Sequence, residues 1–235
     1  MSRIGTLWMI PVPIAENTMH TIPTEVLEKC NQLQHFFVEN IREARRFLKA
    51  VNKEFDIDAC SFCEMNRNTP LDIAQLKSWL KNGIDVGVIS DAGCPGIADP
   101  GALLAQTAQE LTARVKALTG PSSIVLSLMA SGLNGQSFSF IGYLPVKEPD
   151  RSKRIKVLEA HSAKEQQTQI FIETPYRNNV LLQDLLKNCG KCTRLCIAID
   201  INGPEESIQT KSIAEWSKQL VNLAKKPAIF LILAP

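Results

Sequence analysis

Residues 89 to 101, ISDAGCPGIADPG, have the make-up of a loop built to receive a ligand. Pro95 and Pro100 lack an amide donor, while Gly93, Gly96 and Gly101 admit backbone angles and close approaches that a side chain forbids. Such a loop can turn bare peptide groups toward a small molecule. Asp99 is placed to cap a helix that begins at Pro100. The run before it, Val86 to Ile89, is apolar and β-branched and reads as a strand. In open α/β sheets ligands bind outside the carboxyl ends of the strands, which is where this loop falls. An ordinary strand-to-helix connection is the plainer alternative.

Two cysteine pairs, Cys60/Cys63 and Cys189/Cys192, have the spacing of metal knuckles. They lie much farther apart in sequence than the halves of a zinc ribbon, and on a strand Cys60 and Cys63 point to opposite faces. No metal site is expected. The seven cysteines, an odd number, read as reduced and mostly buried thiols.

Strand-like and helix-like segments alternate around these residues. Leu7 to Ile10, Phe36 to Val38, Val86 to Ile89 and Val115 to Leu118 read as strands, with helical periodicity over 24–34, 41–51, 70–82 and 101–112. After Gly120-Pro121 come a helix from Ser122 to Ser131 and a strand from Phe138 to Ile141. Helix 151–163, strand Gln169 to Ile172, helix 176–188, strand Leu195 to Ile199, helix 212–223 and strand Ala228 to Leu233 complete the chain. Alternation of this kind predicts an α/β fold: helices covering a mainly parallel sheet, then a mixed sheet where strands near 195–211 follow one another without a helix. Two lobes are expected, 1–119 and 120–235.

The 235 residues carry 45% hydrophobic and 21% charged side chains, as soluble globular chains do, and a formal net charge of +2 that does not by itself announce nucleic acid. The opening apolar stretch stops at two prolines, and no apolar run approaches the roughly 20 residues of a membrane span, so the expected location is cytoplasmic. Neither the glycine fingerprint of dinucleotide-binding folds nor a P-loop lysine motif is present.

Ser90 to Gly101 resembles the SDAGTPxxxDPG signature of tetrapyrrole-methylase-type S-adenosylmethionine (SAM) methyltransferases, and within them the branch that methylates a ribose 2′-hydroxyl of small-subunit ribosomal RNA. Four further stretches fit in order: Pro11 to Ile14, Gly120 to Ser123, Gly132-Leu133 with Phe138 to Lys147, and Phe171 to Arg177. The resemblance implies two α/β lobes with SAM in the cleft between them, and a homodimer. By the same analogy Ile14, Ala92, Gly93, Cys94, Ile97, Ser122, Ser123, Glu173 and Gly203 surround the cofactor. Amides at Gly93 and at the helix start after Pro121 can hold its carboxylate, and Ile14 and Ile97 can cover its adenine. On this reading Gly93→Val blocks SAM binding and leaves the fold intact.

Methyl transfer from a sulfonium needs alignment and a base, with neither metal nor covalent intermediate. Glu39, Asn40 and Arg42, in VENIR, stand where the family shows AEDTR. Asn40 departs from that pattern: an amide can hold a hydroxyl but cannot take its proton. Cys63 to Asn66 replaces an HDHN-like stretch, and Ala15-Glu16 replaces a Gly-Asn or Gly-Asp pair. Glu39 is the first choice of base, then Asp91 and Glu64, against the alternative of a local Glu39–Arg42 ion pair. Glu173 and Arg177, four apart, pose the same choice, with Glu173 also a fair helix cap. For an RNA acceptor, five cations lie within ten residues, Lys147, Arg151, Lys153, Arg154 and Lys156, and can neutralise phosphates. A solvated helix face accounts for them as well. Tyr143 and Tyr176 can stack on a base or fill an interface. Two alternatives stay open: a tetrapyrrole or other small-molecule methyltransferase, and a catalytically impaired SAM- or rRNA-binding homologue.

Overall fold

The computed structural model describes residues 3–65, 70–223 and 225–235. The chain forms two compact units, Met1–Ser122 and Ser123–Pro235.

The first unit is a five-stranded, all-parallel sheet ordered β3-β2-β4-β1-β5. Its strands are β1 (Thr6–Ile10), β2 (His35–Val38), β3 (Ser61–Glu64), β4 (Val86–Ile89) and β5 (Arg114–Ala117). Helices α1 (Thr24–Cys30) and α2 (Ile41–Val51) cover one face, and α3 (Ile73–Lys81) and α4 (Ala102–Glu110) the other. Period-two alternation assigns the faces: Ile10, Phe36 and Val38 pack with Ala44, Phe47 and Leu48 of α2, whereas Leu7, Phe37 and Val88 pack with Leu76, Leu80 and Leu104. A sheet covered on both sides needs apolar residues at consecutive positions, which is why Phe36, Phe37 and Val38 are all fully buried.

The second unit is mixed, ordered β6-β7-β10-β8-β9, with only the β6/β7 pair parallel. Its strands are β6 (Phe138–Tyr143), β7 (Thr168–Ile172), β8 (Arg194–Ile199), β9 (Ser207–Ser212) and β10 (Ala228–Leu233). Helices α6 (Asp150–Glu165) and α7 (Asn178–Asn188) pack Ile155, Leu158, Leu181 and Leu185 onto Phe171 and Phe230, whose rings stack 6.1 Å apart. Helix α5 (Ser123–Ser131) lies against β8, β9 and β10 and turns its small Ser127 and Ser131 inward.

Four expectations need correction. Strand β3 was not foreseen; SFCE is a half-exposed edge strand with no sustained apolar run. Helix α4 starts at Ala102 with Gly101, not Asp99, at its N-cap, because Gly101 takes φ 130° and turns the chain. The helix expected over 212–223 is only α8 (Ile213–Trp216): the Ser212–Glu215 capping box starts it, but the Leu223 amide is drawn to Asn179 Oδ1 on α7, 2.7 Å away. The thiols are all free, yet only Cys30, Cys189 and Cys196 are buried, and burial pushes the first two up to about 12. Among the described residues no His, Cys, Asp and Glu group is arranged to hold a metal ion, and no helix is long and apolar enough to cross a membrane.

Candidate functional site

Three loops leave the carboxyl ends of β1, β4 and β5 and are tied together. Val12 and Gly93 exchange backbone hydrogen bonds of 2.9 and 3.2 Å. The Leu118 amide donates to Met9 O at 3.0 Å, and the Cys94 thiol donates to Pro121 O at 3.4 Å. Gly93 takes φ 69°, and a Cβ there sits 3.3 Å from Ile14 Cγ2.

The loop after β4 then folds on itself, with the Gly96 amide donating to Pro100 O and the Ile97 amide to Cys94 O. At Gly101 a Cβ lies 3.2 Å from Gly96 N, so that glycine serves loop closure rather than ligand approach. Two expectations change. The Gly93 N–H is spent on Val12 and is no free donor for a carboxylate, and Gly93→Val strains the backbone at positive φ, so it does not test ligand binding alone. What the loop leaves outward is Ala92, exposed, and Ile97, 54% exposed, with Ile14 and Cys94 half-buried.

Acids gather beside this loop. Glu39 follows β2; its amide extends the sheet to Ile89 O, and its Oε2 accepts the Asp91 amide at 3.0 Å. Glu64 ends β3, and its Oε1 accepts from the Ile41 amide at 3.5 Å. Partial burial, then the charges of Glu39, Glu43 and Glu64, raise the Asp91 carboxyl above the usual range. Asp99 is pushed up to about 6 by burial and by Glu39 and Asp91, against a hydrogen bond from Ser90. Asp99 therefore belongs to this cluster, which the sequence did not reveal because its spacing from Pro100 looked like a cap.

Asn40 is the N-cap of α2, its Oδ1 accepting the Arg42 amide at 2.9 Å and the Glu43 amide at 3.4 Å. The Glu39–Arg42 ion pair is not formed among the described residues; Glu43 pairs with Arg46 instead, at 2.9 Å. Asn66, one of the expected departures, lies outside the described residues.

Other expected residues sit elsewhere. Ser122 ends the first unit and Ser123 opens α5, both half-buried. Glu173 is buried in the second unit and ion-paired with Arg177 at 2.6 Å; burial raises its carboxyl, but bonds from Arg177 and the Thr174 amide outweigh it and hold the group below its usual value. It does not cap α7, whose N-cap is Arg177. Gly203 lies in the β8–β9 turn, packed against the Asp200 carboxylate.

Lys147, Lys153, Arg154 and Lys156 are exposed. Arg151 is not: its side chain is 8% exposed and its guanidinium is held by Asp184 Oδ2 at 2.6 Å and Val146 O at 2.5 Å, so it is unavailable to phosphates. The register explains it, since Arg151, Ile155, Leu158 and Ser162 share the inner face of α6. Tyr143 and Tyr176 are 56% and 81% exposed.

No family model matches the chain. Among solved structures it is similar to the methyltransferase CobJ, with 15% identity and a TM-score of 0.62 over 100% of this chain and 95% of that one. Uroporphyrin-III-C-methyltransferase from Thermus thermophilus gives 16% and 0.53 over 97% and 92%. The fold is thus the two-unit α/β fold of these methyltransferases. In sequence, the relatives are proteins named ribosomal RNA small subunit methyltransferase I. That of Vibrio cholerae serotype O1 is 31% identical over 229 residues, 96% of this chain and 76% of the relative. That of Pseudomonas aeruginosa is 30% identical over 211 residues, 90% and 71%. The chain belongs to the ribosomal RNA small subunit methyltransferase I family, and it is a methyltransferase.

Proposed function

We propose that this enzyme moves a methyl group from SAM to a ribose 2′-hydroxyl of small-subunit ribosomal RNA, in the cytoplasm and as a homodimer. The observation that carries the reading is the tied loop 90–101 at the carboxyl ends of the central strands, in a chain of this family. Ala92 and Ile97 face outward on a backbone anchored at both ends, which fits a nucleoside with an apolar ring and a backbone to meet it. Ile14, Ala92, Cys94 and Ile97 would hold SAM in the first unit, with Ser122 as a further contact carried over from the family. Gly93 acts by fixing the Val12 bridge. The cofactor supplies an electrophilic methyl on a sulfonium.

The protein's own share is alignment and proton removal. Positioning of this kind contributes roughly 7 to 11 kcal/mol in favourable systems, and a placed base adds about 10²- to 10⁴-fold. Glu39 is the base: it is anchored through one oxygen to the Asp91 amide, beside the loop that carries the cofactor contacts. Asp91 keeps that loop in register. Asn40 is no sign of lost activity, since Asn and Asp cap helices equally well and its Oδ1 does so here, leaving its NH2 to hold the ribose oxygen. Arg42, Lys147, Lys153 and Arg154 meet phosphates.

Mass spectrometry of small-subunit ribosomal RNA from cells lacking the gene tests the reading. The expected result is the loss of one ribose methyl group, restored by the wild-type gene. An unchanged methylation profile, together with undiminished SAM binding by the pure protein, removes the RNA assignment.

A further inference from the structure

Helix α2 carries Arg42, Arg45, Arg46 and Lys49 at i, i+3, i+4 and i+7, so all four project from one face; each is exposed, and Ala44, Phe47 and Leu48 are buried behind them. Three of the chain's ten arginines stand on this single helix face. Arg46 is offset by Glu43, but among the described residues no ion pair engages Arg42, Arg45 or Lys49. Arg42 also lies in the first turn, where the helix dipole favours acids over cations. The local fold gives no return for a cation at that position.

The Arg45 guanidinium carbon lies over the Phe62 ring of the edge strand β3, 5.4 Å from its centroid, and that ring stacks on buried Phe36. A guanidinium set over a ring face still has its N–H groups to donate, and phosphate is a fitting acceptor. At 1.5 Å per residue the face from Arg42 to Lys49 is about 10 Å long, enough for two or three consecutive phosphates of a single strand. Its first turn begins directly after Glu39 and Asn40.

We propose that this face of α2 is the track for the single-stranded RNA backbone flanking the methylated nucleotide, entering at Lys49 and delivering the ribose at Arg42 to Glu39. The proposal rests on the RNA reading above and assigns it a surface that the cation-rich segment 147–156 did not reveal. A membrane surface or an acidic protein would reward the positive charge equally, but neither accounts for a guanidinium set over an aromatic ring on the helix that starts directly after Glu39 and Asn40.

Binding of a single-stranded RNA oligonucleotide with a small-subunit ribosomal sequence is measured over a range of potassium chloride concentrations, beside calorimetry with SAM. Arg45→Gln, Arg46→Gln and Lys49→Gln are made singly and together, with Lys81→Gln on α3 as an exposed control. Each single change is expected to lower the slope of log affinity against log salt by about 0.7, and the triple change by about 2, with SAM binding unaltered and Lys81→Gln silent. A wild-type slope in the triple variant overturns the track and leaves RNA methylation standing. Equal losses in Lys81→Gln overturn it too, since net charge alone would then explain them. A wild-type protein that binds SAM but no RNA at low salt removes both.

Discussion

Beside the sheet of the first unit, Glu39, Asp91 and Asp99 crowd together without an ion pair among the described residues, and burial with like charge lifts Asp91 and Asp99 above their usual range. The second unit buries charge too, but among the described residues each such group has a partner: Glu173 with Arg177, Arg151 with Asp184. Its acid is shifted downward. Raised, unneutralised carboxylates mark groups kept for chemistry at the expense of stability, while paired ones brace a frame. On the function proposed above, the proton-handling residue lies among the unpaired acids of the parallel unit, while the ion pairs of the mixed unit brace its frame.

The strongest way to break this contrast is Arg151→Ala. It strands Asp184 and the Val146 carbonyl, and about 3 to 5 kcal/mol of stability should be lost in denaturant melts. A loss under 1 kcal/mol would show that Arg151 is not a brace. Glu39→Gln does the reverse: its amide oxygen still accepts the Asp91 N–H, so the melt should hardly change while methyl transfer falls at least about 100-fold. Retained turnover would move the base elsewhere.

The acids should respond to pH with opposite signs. Asp99 has a folded value raised to about 6, so it favours the folded state most below pH 4 and loses that contribution as pH rises through 6. Asp99→Asn should therefore stabilise the protein at pH 7.5 by about 1 kcal/mol, after allowance for solvent screening, or roughly 2 to 4 °C in Tm. Glu173 has a lowered value, so its contribution is present above the ordinary carboxylate range and vanishes as pH falls through the folded value. Glu173→Gln should cost about 1 to 2 kcal/mol at pH 7.5, and progressively less as pH falls below the ordinary carboxylate range. Thermal scans at three pH values check both, and like signs at pH 7.5 would erase the distinction. The smallest effect is expected at Asn40→Ala, about 1 kcal/mol from the lost cap, whereas Asn40→Asp should keep full stability.

Much of this was legible in the order of the residues. Helix 41–51 and strands Val86 to Ile89 and Ala228 to Leu233 fall at their expected bounds because their apolar periods are unbroken and their ends carry turn or cap residues. What escaped depends on partners remote in sequence. Gly93 looked like an open donor until Val12, 81 positions earlier, took its hydrogen. Arg151 could have been recognised, since it shares the spacing of Ile155 and Leu158, but the charge count drew attention away from its phase. The other α2 cations were missed because Arg42 was weighed by itself, as a substrate-binding residue of the polar wall or a partner for Glu39, not as the first of four on one face.

As the base proposed above, Glu39 would do two jobs through one carboxylate. Its Oε2 clasps the Asp91 amide, so any proton arriving at this group also loosens the clasp on the segment running from Asp91 toward Gly93 and Cys94. An enzyme wired like this would unlatch its donor-side loop as each turnover is completed, and resetting would wait until the proton had left for bulk water.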